Sequence, residues 1–450
     1  MQVQNKAARV KLFSLKSVQM RTFHLTWFAF FLCFFGWFGI APLMAVVRDD
    51  LGLTKEQIGN TIIASVAITV VVRILIGYLC DKFGPRRTYS GLLALGAIPV
   101  MAIGLADSYE TFLLARLSIG AIGASFVITQ YHTAVMFAPN VVGTAQATTA
   151  GWGNLGGGVT QMVMPLLLAA VMMFVADATL GWRIAMVVPG AAMLFTAAAY
   201  WLYTKDAPDG DFKELRARGA LPKAGEEGGN TLANFAHAAR DYRVWALFLV
   251  YGACFGVELT INNIAALYYY DRFALDLKTA GMIAGLFGLM NIFARTLGGV
   301  FSDRLARSRG LTGRIHFLFA VLLVEGLALV LFSQMGTVGL AIATMIVFSL
   351  FVQMSEGATF GLVPFVNKRS LGAVAGIVGA GGNAGAVAAG FLFRSEALST
   401  QEGLLYLGLI VSAVAFAALV VRFSPEVLAE EKQNLETALA ERAKAVPATA

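Results

Sequence analysis

Twelve apolar segments, each about 20 residues long, dominate this chain of 450 residues. A helix of that length crosses a hydrocarbon core of about 30 Å, so each segment is long enough to span a bilayer. Hydrophobic residues make up 58% of the sequence and charged residues only 14%, which excludes an ordinary soluble domain. The sequence therefore predicts an all-α membrane protein whose spans 1 to 12 lie near residues 26–47, 57–79, 88–106, 110–137, 144–173, 184–204, 242–269, 278–301, 315–333, 336–365, 371–393 and 403–422.

The positions of lysine and arginine predict the orientation of these spans. Of the 34 basic residues, 25 lie in the two tails and in loops 2–3, 6–7, 8–9 and 10–11, whereas six lie in the opposite loops. Basic residues near the ends of spans are retained on the cytoplasmic side. We therefore expect a multi-pass protein of the inner (cytoplasmic) membrane with both termini in the cytoplasm. The net charge of +7 reflects this topology and does not indicate a nucleic-acid surface.

Two polar segments lie between and after the spans. Residues 205–240 combine Gly, Pro and mixed charges, and residues 424–450 are rich in helix-forming residues. We expect a six-helix bundle over 1–204, a cytoplasmic linker over 205–240, a second six-helix bundle over 241–423 and a cytoplasmic tail over 424–450. The three cysteines are widely separated and the four histidines form no metal-spaced pair, so neither a metal site nor a cofactor is expected.

The two halves of the chain repeat one motif at the end of an even-numbered span. VRILIGYLCDKFGPRR aligns with ARTLGGVFSDRLARSR, which pairs Arg73 with Arg295, Gly77 with Gly299 and Asp81 with Asp303. Such repeats are typical of transporters whose halves move against each other around a site at mid-membrane. The Gly-x-x-x-Asp-[basic] pattern resembles the signature loop of the major facilitator superfamily. That resemblance implies two pseudo-symmetric bundles and places Asp81 and Asp303 in gating loops.

Arg73 and Arg295 lie near mid-membrane. Each stands eight residues, about 12 Å of helix, before the aspartate that marks the cytoplasmic end of its span. An arginine near the bilayer centre costs about 2.5–3.5 kcal/mol on insertion scales, so a matched pair predicts a binding site for an anion. The alternative is that each arginine is a buried structural ion-pair partner, but spans 2 and 8 carry no carboxylate at this depth.

Glycine-rich segments in spans 5 and 11 repeat the same symmetry. GWGNLGGG at 151–158 and GAGGNAGA at 379–386 each place one asparagine, Asn154 or Asn383, among glycines such as Gly153 and Gly382. Close helix contact is one explanation for the glycines. A buried amide must be satisfied, however, and beside glycines it can reach a small ligand between the bundles. Both asparagines and their neighbouring glycines are therefore candidates for binding the substrate.

These paired signatures, together with APLMAVVRDDLGLTKEQIGN, YGACFGVELTINNIAALYYYDRF and SEGATFGLVPFV, resemble the nitrate/nitrite porters of the major facilitator superfamily. The likeness is to bacterial assimilatory and plant high-affinity nitrate transporters in particular. It implies that Arg73 and Arg295 clamp the substrate and that Asn154 faces it. The pocket wall that it implies consists of Tyr251, Phe255, Phe126 and, more weakly, Phe34.

The chemistry of nitrate agrees with this resemblance. Nitrate is planar and carries one negative charge on three oxygens, which suits the flat fork of a guanidinium group. Aromatic walls above and below such an anion exclude tetrahedral or bulky solutes, although simple packing is an alternative for any single phenylalanine. We therefore predict a small, flat pocket that takes nitrate, with nitrite as a second substrate.

Span 7 places an acid on the same face as the candidate pocket. Tyr251, Phe255, Glu258 and Asn262 are spaced so that they share one side of a helix. Importing an anion against an inside-negative potential costs about 2.3 kcal/mol per charge per 100 mV, so uptake must be driven. Glu258, and second Glu356 in span 10, are the candidates for binding the driving proton. The alternative for Glu258 is a static pair with an in-span arginine, Arg73, Arg295 or Arg116.

The sequence thus predicts a secondary active transporter that imports nitrate with protons by alternating access, with the lipid bilayer as its surroundings and without an evident protein partner. Exchange of nitrate for nitrite is the alternative within the same class. An organic-phosphate exchanger also uses paired arginines, but no mid-membrane lysine or histidine is present to hold a dianion. A nitrate sensor that does not transport would bind the anion identically. An enzyme is not expected, because no nucleophile with a base and no large catalytic loop is present.

Overall fold

The structure, a computed structural model, describes residues 5–138, 141–221, 231–367, 371–431 and 433. Within these residues the elements are α-helices and short 3₁₀ segments. Eleven helical runs are long and apolar enough to cross a membrane. One of them, Leu277–Ser333, contains Gly310 at φ 60° and ψ −150°, a conformation that glycine tolerates and that divides the run into spans 8 and 9. The prediction of twelve spans is therefore confirmed for the described chain.

The other spans lie close to their predicted positions. Three of them begin with capping boxes, in which the hydroxyls of Thr54, Ser108 and Ser399 accept hydrogen bonds from the backbone of Gln57, Thr111 and Glu402. In chain order, spans 1 to 7 are Val18–Leu51, Lys55–Phe83, Pro85–Leu105, Tyr109–Met136, Val142–Met172, Ala178–Tyr203 and Tyr242–Phe273, and spans 10 to 12 are Val338–Val366, Leu371–Arg394 and Thr400–Val420.

Three spans contain a 3₁₀ segment between two α-helical parts. The sequence predicts continuous helices, whereas span 1 changes to a 3₁₀ segment at Ala41–Leu43, span 4 at Ala121–Ala124 and span 8 at Met290–Ile292. A 3₁₀ turn has three residues per turn, so it rotates the residues that follow relative to those before. Phe126 and Arg295 each lie just beyond such a segment. The interruptions therefore set the direction of two candidate site residues.

The linker begins on the side of the molecule where residues 5–17 and 424–431 lie, which we call the terminal side. Its first part folds back onto the first bundle, where buried Asp206 accepts hydrogen bonds from the backbone nitrogens of Arg86 and Phe212. Arg86 also forms an ion pair of 2.5 Å with Asp211. Residues 425–431 of the predicted tail are helical. Residues 222–230 of the linker, and 432 and 434–450 of the tail, lie outside the described residues.

The two bundles are in contact at mid-depth and on the opposite side. Span 5 packs against span 8 so closely that a methyl group on Gly158 would meet the Cα of Gly288 at 2.7 Å. Ion pairs join Arg48 to Asp271 at 2.8 Å and Arg394 to Glu56 at 2.5 Å across the opposite side. The molecule is therefore closed on the opposite side.

Candidate anion-binding site

Arg73 lies half-buried in span 2, on a polar stripe that faces the interior. Ser65 and Thr69 precede it on that stripe, and the Thr69 hydroxyl donates to the Gly120 carbonyl of span 4 at 2.7 Å. One Nη of Arg73 donates to the carbonyl of Gly379 in span 11 at 2.8 Å. Its guanidinium group also lies 5.7 Å from the centre of the Phe126 ring. Arg73 therefore reaches across the bundle interface with neutral partners.

Arg295 stands in the first turn after the interruption in span 8. One Nη donates to the Tyr251 hydroxyl at 3.0 Å, and the other lies 2.5 Å from a carboxylate oxygen of Glu356 in span 10. The Arg295 side chain is 10% exposed and Glu356 is fully buried. Tyr251 also interacts electrostatically with Arg73, so both arginines adjoin the same tyrosine. The structure thus brings both predicted arginines to one site.

Two buried carboxyl groups adjoin Arg295. Glu258 of span 7 accepts a hydrogen bond of 2.8 Å from the Asn291 amide, which lies in the interrupted part of span 8. Glu258 and Glu356 also interact electrostatically with each other. Like charges repel strongly in a buried site, so two neighbouring carboxyl groups are an unusual arrangement there. The structure therefore places two buried acids beside the guanidinium of Arg295.

The ion-pair partner of Arg295 lies in span 10, and the internal repeat does not identify that span as part of the site. Span 8 itself carries no carboxylate at this depth, and the structure supplies one from span 10. The ion-pair alternative therefore applies to Arg295, with Glu356 as the partner. Among the described residues Arg73 forms no ion pair with a carboxylate, and Glu258 is hydrogen-bonded to Asn291 rather than ion-paired with an arginine.

The two signature asparagines are fully buried in the centre of the molecule. Neither polar atom of the Asn154 side chain has a hydrogen-bond partner among the described residues. The Asn383 amide nitrogen donates to the Val66 carbonyl across the interface at 3.4 Å, whereas its oxygen has no such partner. An unsatisfied buried amide costs about 1–3 kcal/mol, so these groups are suited to a polar ligand.

The signature glycines pack against aromatic rings in matching ways. A methyl group on Gly153 would meet the Phe30 ring at 1.9 Å, and one on Gly382 would meet the Phe255 ring at 2.3 Å. Phe255 stacks on Tyr251 with centroids 5.2 Å apart, and Phe30 contacts Phe126 at 5.8 Å. Each glycine therefore makes room for a ring that supports a candidate pocket residue.

The remaining predicted residues lie further from the arginines. Phe34 packs among other rings of span 1, including Trp37 at 5.5 Å. Asp303 is exposed at the terminal side and forms an ion pair of 2.6 Å with Arg314 across the turn between spans 8 and 9. The backbone carbonyl of Asp81 accepts a hydrogen bond from Arg216 of the linker. Both aspartates therefore mark the terminal ends of their spans.

Two further buried polar groups lie near the site: Glu325, which has no role in the sequence prediction, and Arg116, which is predicted only as a possible partner of Glu258. Glu325 in span 9 is fully buried and neither of its carboxyl oxygens has a hydrogen-bond partner in the described chain. Arg116 in span 4 donates to Asn263 of the other bundle at 2.8 Å. The sequence does contain a signal that could have identified Glu325, because it is the one acidic residue in the apolar stretch LLVEGLALV. For Arg116, the sequence shows the buried charge without its neighbours.

Comparison with known proteins agrees with this architecture. The family model described as Major Facilitator Superfamily matches residues 26–390. A bacterial homologue of the human lysosomal transporter Spinster, solved inward-facing and unoccupied, superposes with a TM-score of 0.68 over 95% of this chain and 99% of that one. The two sequences are 15% identical, so this likeness concerns the fold alone.

Proteins with similar sequences indicate to which family within this superfamily the chain belongs. The high affinity nitrate transporter 2.5 of Arabidopsis thaliana is 42% identical over 421 residues, which cover 93% of this chain and 83% of that protein. The nitrate/nitrite transporter NrtP of Picosynechococcus sp. is 32% identical, with 81% and 83% covered. The resemblance seen in the sequence motifs is thereby confirmed. This chain belongs to the major facilitator superfamily and, within it, to the family of the high-affinity nitrate and nitrate/nitrite transporters.

Proposed function

We propose that this protein imports nitrate, with nitrite as a second substrate, by alternating access and in symport with protons. The observation that carries the proposal is the contrast between the two arginines of one site. Arg73 holds only neutral partners, whereas Arg295 is ion-paired with a carboxyl group that adjoins a second one. The first arginine is suited to permanent anion binding and the second to binding that depends on a proton.

Nitrate fits the groups that converge on the site. A planar anion between Arg73 and Arg295 would accept hydrogen bonds in its own plane and contact aromatic faces on either side. Phe126 lies against Arg73, and the stacked Tyr251 and Phe255 approach from span 7. The unsatisfied amide of Asn154 supplies two further donors in the same central layer. Relatives named as nitrate transporters support the choice of anion.

Competition for Arg295 provides the coupling. Nitrate and the Glu356 carboxylate compete for the guanidinium group of Arg295, so nitrate binds weakly while Glu356 is charged. A proton taken up by the Glu258 and Glu356 pair neutralises this competitor and releases Arg295 for nitrate. One charge moved against 100 mV costs about 2.3 kcal/mol, and a bound proton cancels that cost. Proton and nitrate therefore load together and leave together.

The proposed topology places the terminal side in the cytoplasm, as the distribution of basic residues indicates. The opposite side, closed by Arg48–Asp271 and Arg394–Glu56, then faces away from the cytoplasm. A transporter closed on that side, with Arg295 paired to Glu356, corresponds to the state after nitrate and proton have left. The predicted bundle boundaries at 204 and 241 fit a movement of the two six-span units about this site.

Uptake by proteoliposomes under an imposed pH gradient tests the proposal. The wild-type protein is expected to accumulate nitrate when the outside is acidic, and Glu356→Gln to bind nitrate without proton-driven accumulation. Glu258→Gln is expected to lose accumulation as well, because the shared proton site is broken. Full proton-driven accumulation by both variants would contradict the coupling, and absence of nitrate flux in the wild type would contradict the transport assignment.

Exchange of nitrate for nitrite is the second candidate, and the ion pair itself is the observation that favours it. If Arg295 and Glu356 stay paired throughout the cycle, Arg73 binds the anion alone and no proton is needed. Labelled-nitrate counterflow separates the two cases. Exchange that requires internal nitrite and is indifferent to the pH gradient supports antiport, whereas flux that follows the gradient supports symport.

A further inference from the structure

Arg116 is a fully buried cation whose acceptors are all neutral. Its guanidinium group donates to the Trp37 carbonyl at 3.1 Å, the Ser65 hydroxyl at 3.3 Å and the Asn263 side-chain oxygen at 2.8 Å. Its Nε has no partner among the described residues, and no described carboxylate forms an ion pair with it. A buried charge without a counter-ion is costly, so it needs a functional reason.

Arg116 lies between the central site and the opposite side of the molecule. Ser65 precedes Arg73 by eight residues in span 2, which puts it about 12 Å closer to the opposite side. Asn263 follows Glu258 in span 7, in the same direction. Arg116 therefore lies between the central arginines and the face that is closed in this structure.

A cavity of about 340 Å³ lies beyond Arg116 on that face. Asn263 forms part of its wall, and its charged lining comprises Arg48, Lys55, Asp271 and Arg272. Three cationic side chains and one anionic side chain give the lining of this cavity a net positive charge, which attracts small anions. The Arg48–Asp271 ion pair joins the two bundles in the wall of this cavity. The cavity is thus a vestibule whose charge suits an anion and whose wall includes the partner of Arg116.

Opening of the opposite side must break the contacts that cross it. Asn263 belongs to the second bundle, whereas Arg116, Trp37 and Ser65 belong to the first. Separation of the bundles therefore removes the shortest hydrogen bond of Arg116 and exposes the guanidinium to the vestibule. It then has unsatisfied donors, a neighbouring hydroxyl and no carboxylate to neutralise it.

We propose that Arg116, with Ser65, forms an outer anion site that binds nitrate or nitrite when the opposite side opens, before the anion reaches Arg73 and Arg295. Closure then transfers the anion inward as Asn263 replaces it on Arg116. This inference rests on the proposed nitrate transport and adds a second binding site to it. The alternative is that Arg116 and Asn263 merely hold the bundles together.

Transport kinetics from the two faces separate these accounts. Nitrate uptake is measured in right-side-out and inside-out membrane vesicles, with orientation checked by protease access to the tail. For Arg116→Gln the account predicts that KM rises about tenfold in right-side-out vesicles only, with a maximal rate within about twofold of wild type. Asn263→Ala keeps the arginine and removes only its partner in the closed state, so its KM from the outer face is not expected to rise.

Equal KM changes in Arg116→Gln and Asn263→Ala, or an unchanged KM in Arg116→Gln, would reduce the contact to a structural one and overturn the proposal. If Arg116→Gln fails to fold, Arg116→Lys serves in its place. It keeps the charge but loses the fork, so KM from the outer face is expected to rise about threefold, and an unchanged value overturns the proposal. Wild-type vesicles without nitrate uptake would instead contradict the transport function itself.

Discussion

Arg73 and Arg295 occupy matching positions in the two halves of the chain but differ in their electrostatic surroundings. Arg73 donates to a neutral carbonyl and lies against the Phe126 ring, and its hydrogen bond reaches the other bundle. Arg295 is held within its own bundle by Tyr251 and Glu356. The two halves thus carry equivalent cations with different neighbours, which in the proposed mechanism would provide one constant and one proton-dependent half of the anion site.

The same contrast extends to the surrounding layers. The first bundle contributes rings around Arg73, among them Phe30 and Phe126. The second bundle contributes the buried acids Glu258, Glu325 and Glu356. Packing is symmetric, since Gly153 and Gly382 each admit a ring at the equivalent place, but charge is not. In the proposed mechanism both halves therefore bind the anion, whereas only the second half binds the proton.

The largest expected effect comes from replacing Arg73 with lysine. The charge is kept but the planar fork is lost, and no carboxyl group is present to rearrange, so nitrate affinity should fall about 100-fold, or about 2.7 kcal/mol. Arg295→Lys should lose only about tenfold, because Glu356 already competes for that cation. Titration of purified protein with nitrate gives both dissociation constants. Equal losses in the two variants would remove the distinction between the arginines.

The packing symmetry predicts a second, matched pair of effects. Gly153→Ala and Gly382→Ala force a methyl group into the Phe30 and Phe255 rings, which should cost about 1–3 kcal/mol of stability in each bundle. Gly376→Ala is the control, because nothing lies within 4 Å of its methyl position. Thermal unfolding of the three variants measures the difference. A Gly382→Ala variant as stable as the wild type would show that the Phe255 ring can move aside at little cost.

A third prediction concerns the dependence of binding on pH. In the proposed mechanism a proton on Glu356 releases Arg295, so wild-type nitrate affinity should strengthen as the pH falls, by up to about tenfold per pH unit. Glu356→Gln removes the competitor permanently, and its affinity should be high and independent of pH. Nitrate titrations across a pH series measure both. A sloping profile in the variant would assign the proton to another group.

The smallest expected effect is at the ring beside Arg73. Phe126→Leu keeps an apolar side chain but removes the aromatic face, which contributes about 0.5–1 kcal/mol to a cation at such a distance. Nitrate affinity should fall about threefold, without any change in its pH dependence. Phe34→Leu, further from Arg73 and packed against Trp37, serves as the matched control with unchanged affinity. A larger loss in the control would exchange the roles of the two rings.

The sequence predicts the spans and the matched arginines because apolar length and the Gly-x-x-x-Asp repeat are local signals. It does not predict the interruption at Met290–Ile292, which depends on how span 8 packs. Nor does it reveal that Glu356 meets Arg295, since spans 8 and 10 come together only in the folded bundle. For the same reason the sequence shows Arg116 only as an isolated charge, since Asn263 comes close to it only in the folded protein.

Proton uptake on nitrate binding tests the central claim most directly. Nitrate is added to the purified, weakly buffered protein, and a pH-indicator dye reports the protons bound. If Glu356 must be neutralised before Arg295 accepts the anion, wild-type protein takes up as much as about one proton per nitrate at a pH where the pair is empty, and Glu356→Gln takes up none. Nitrate binding without proton uptake in the wild type, or equal uptake in both proteins, would contradict the account.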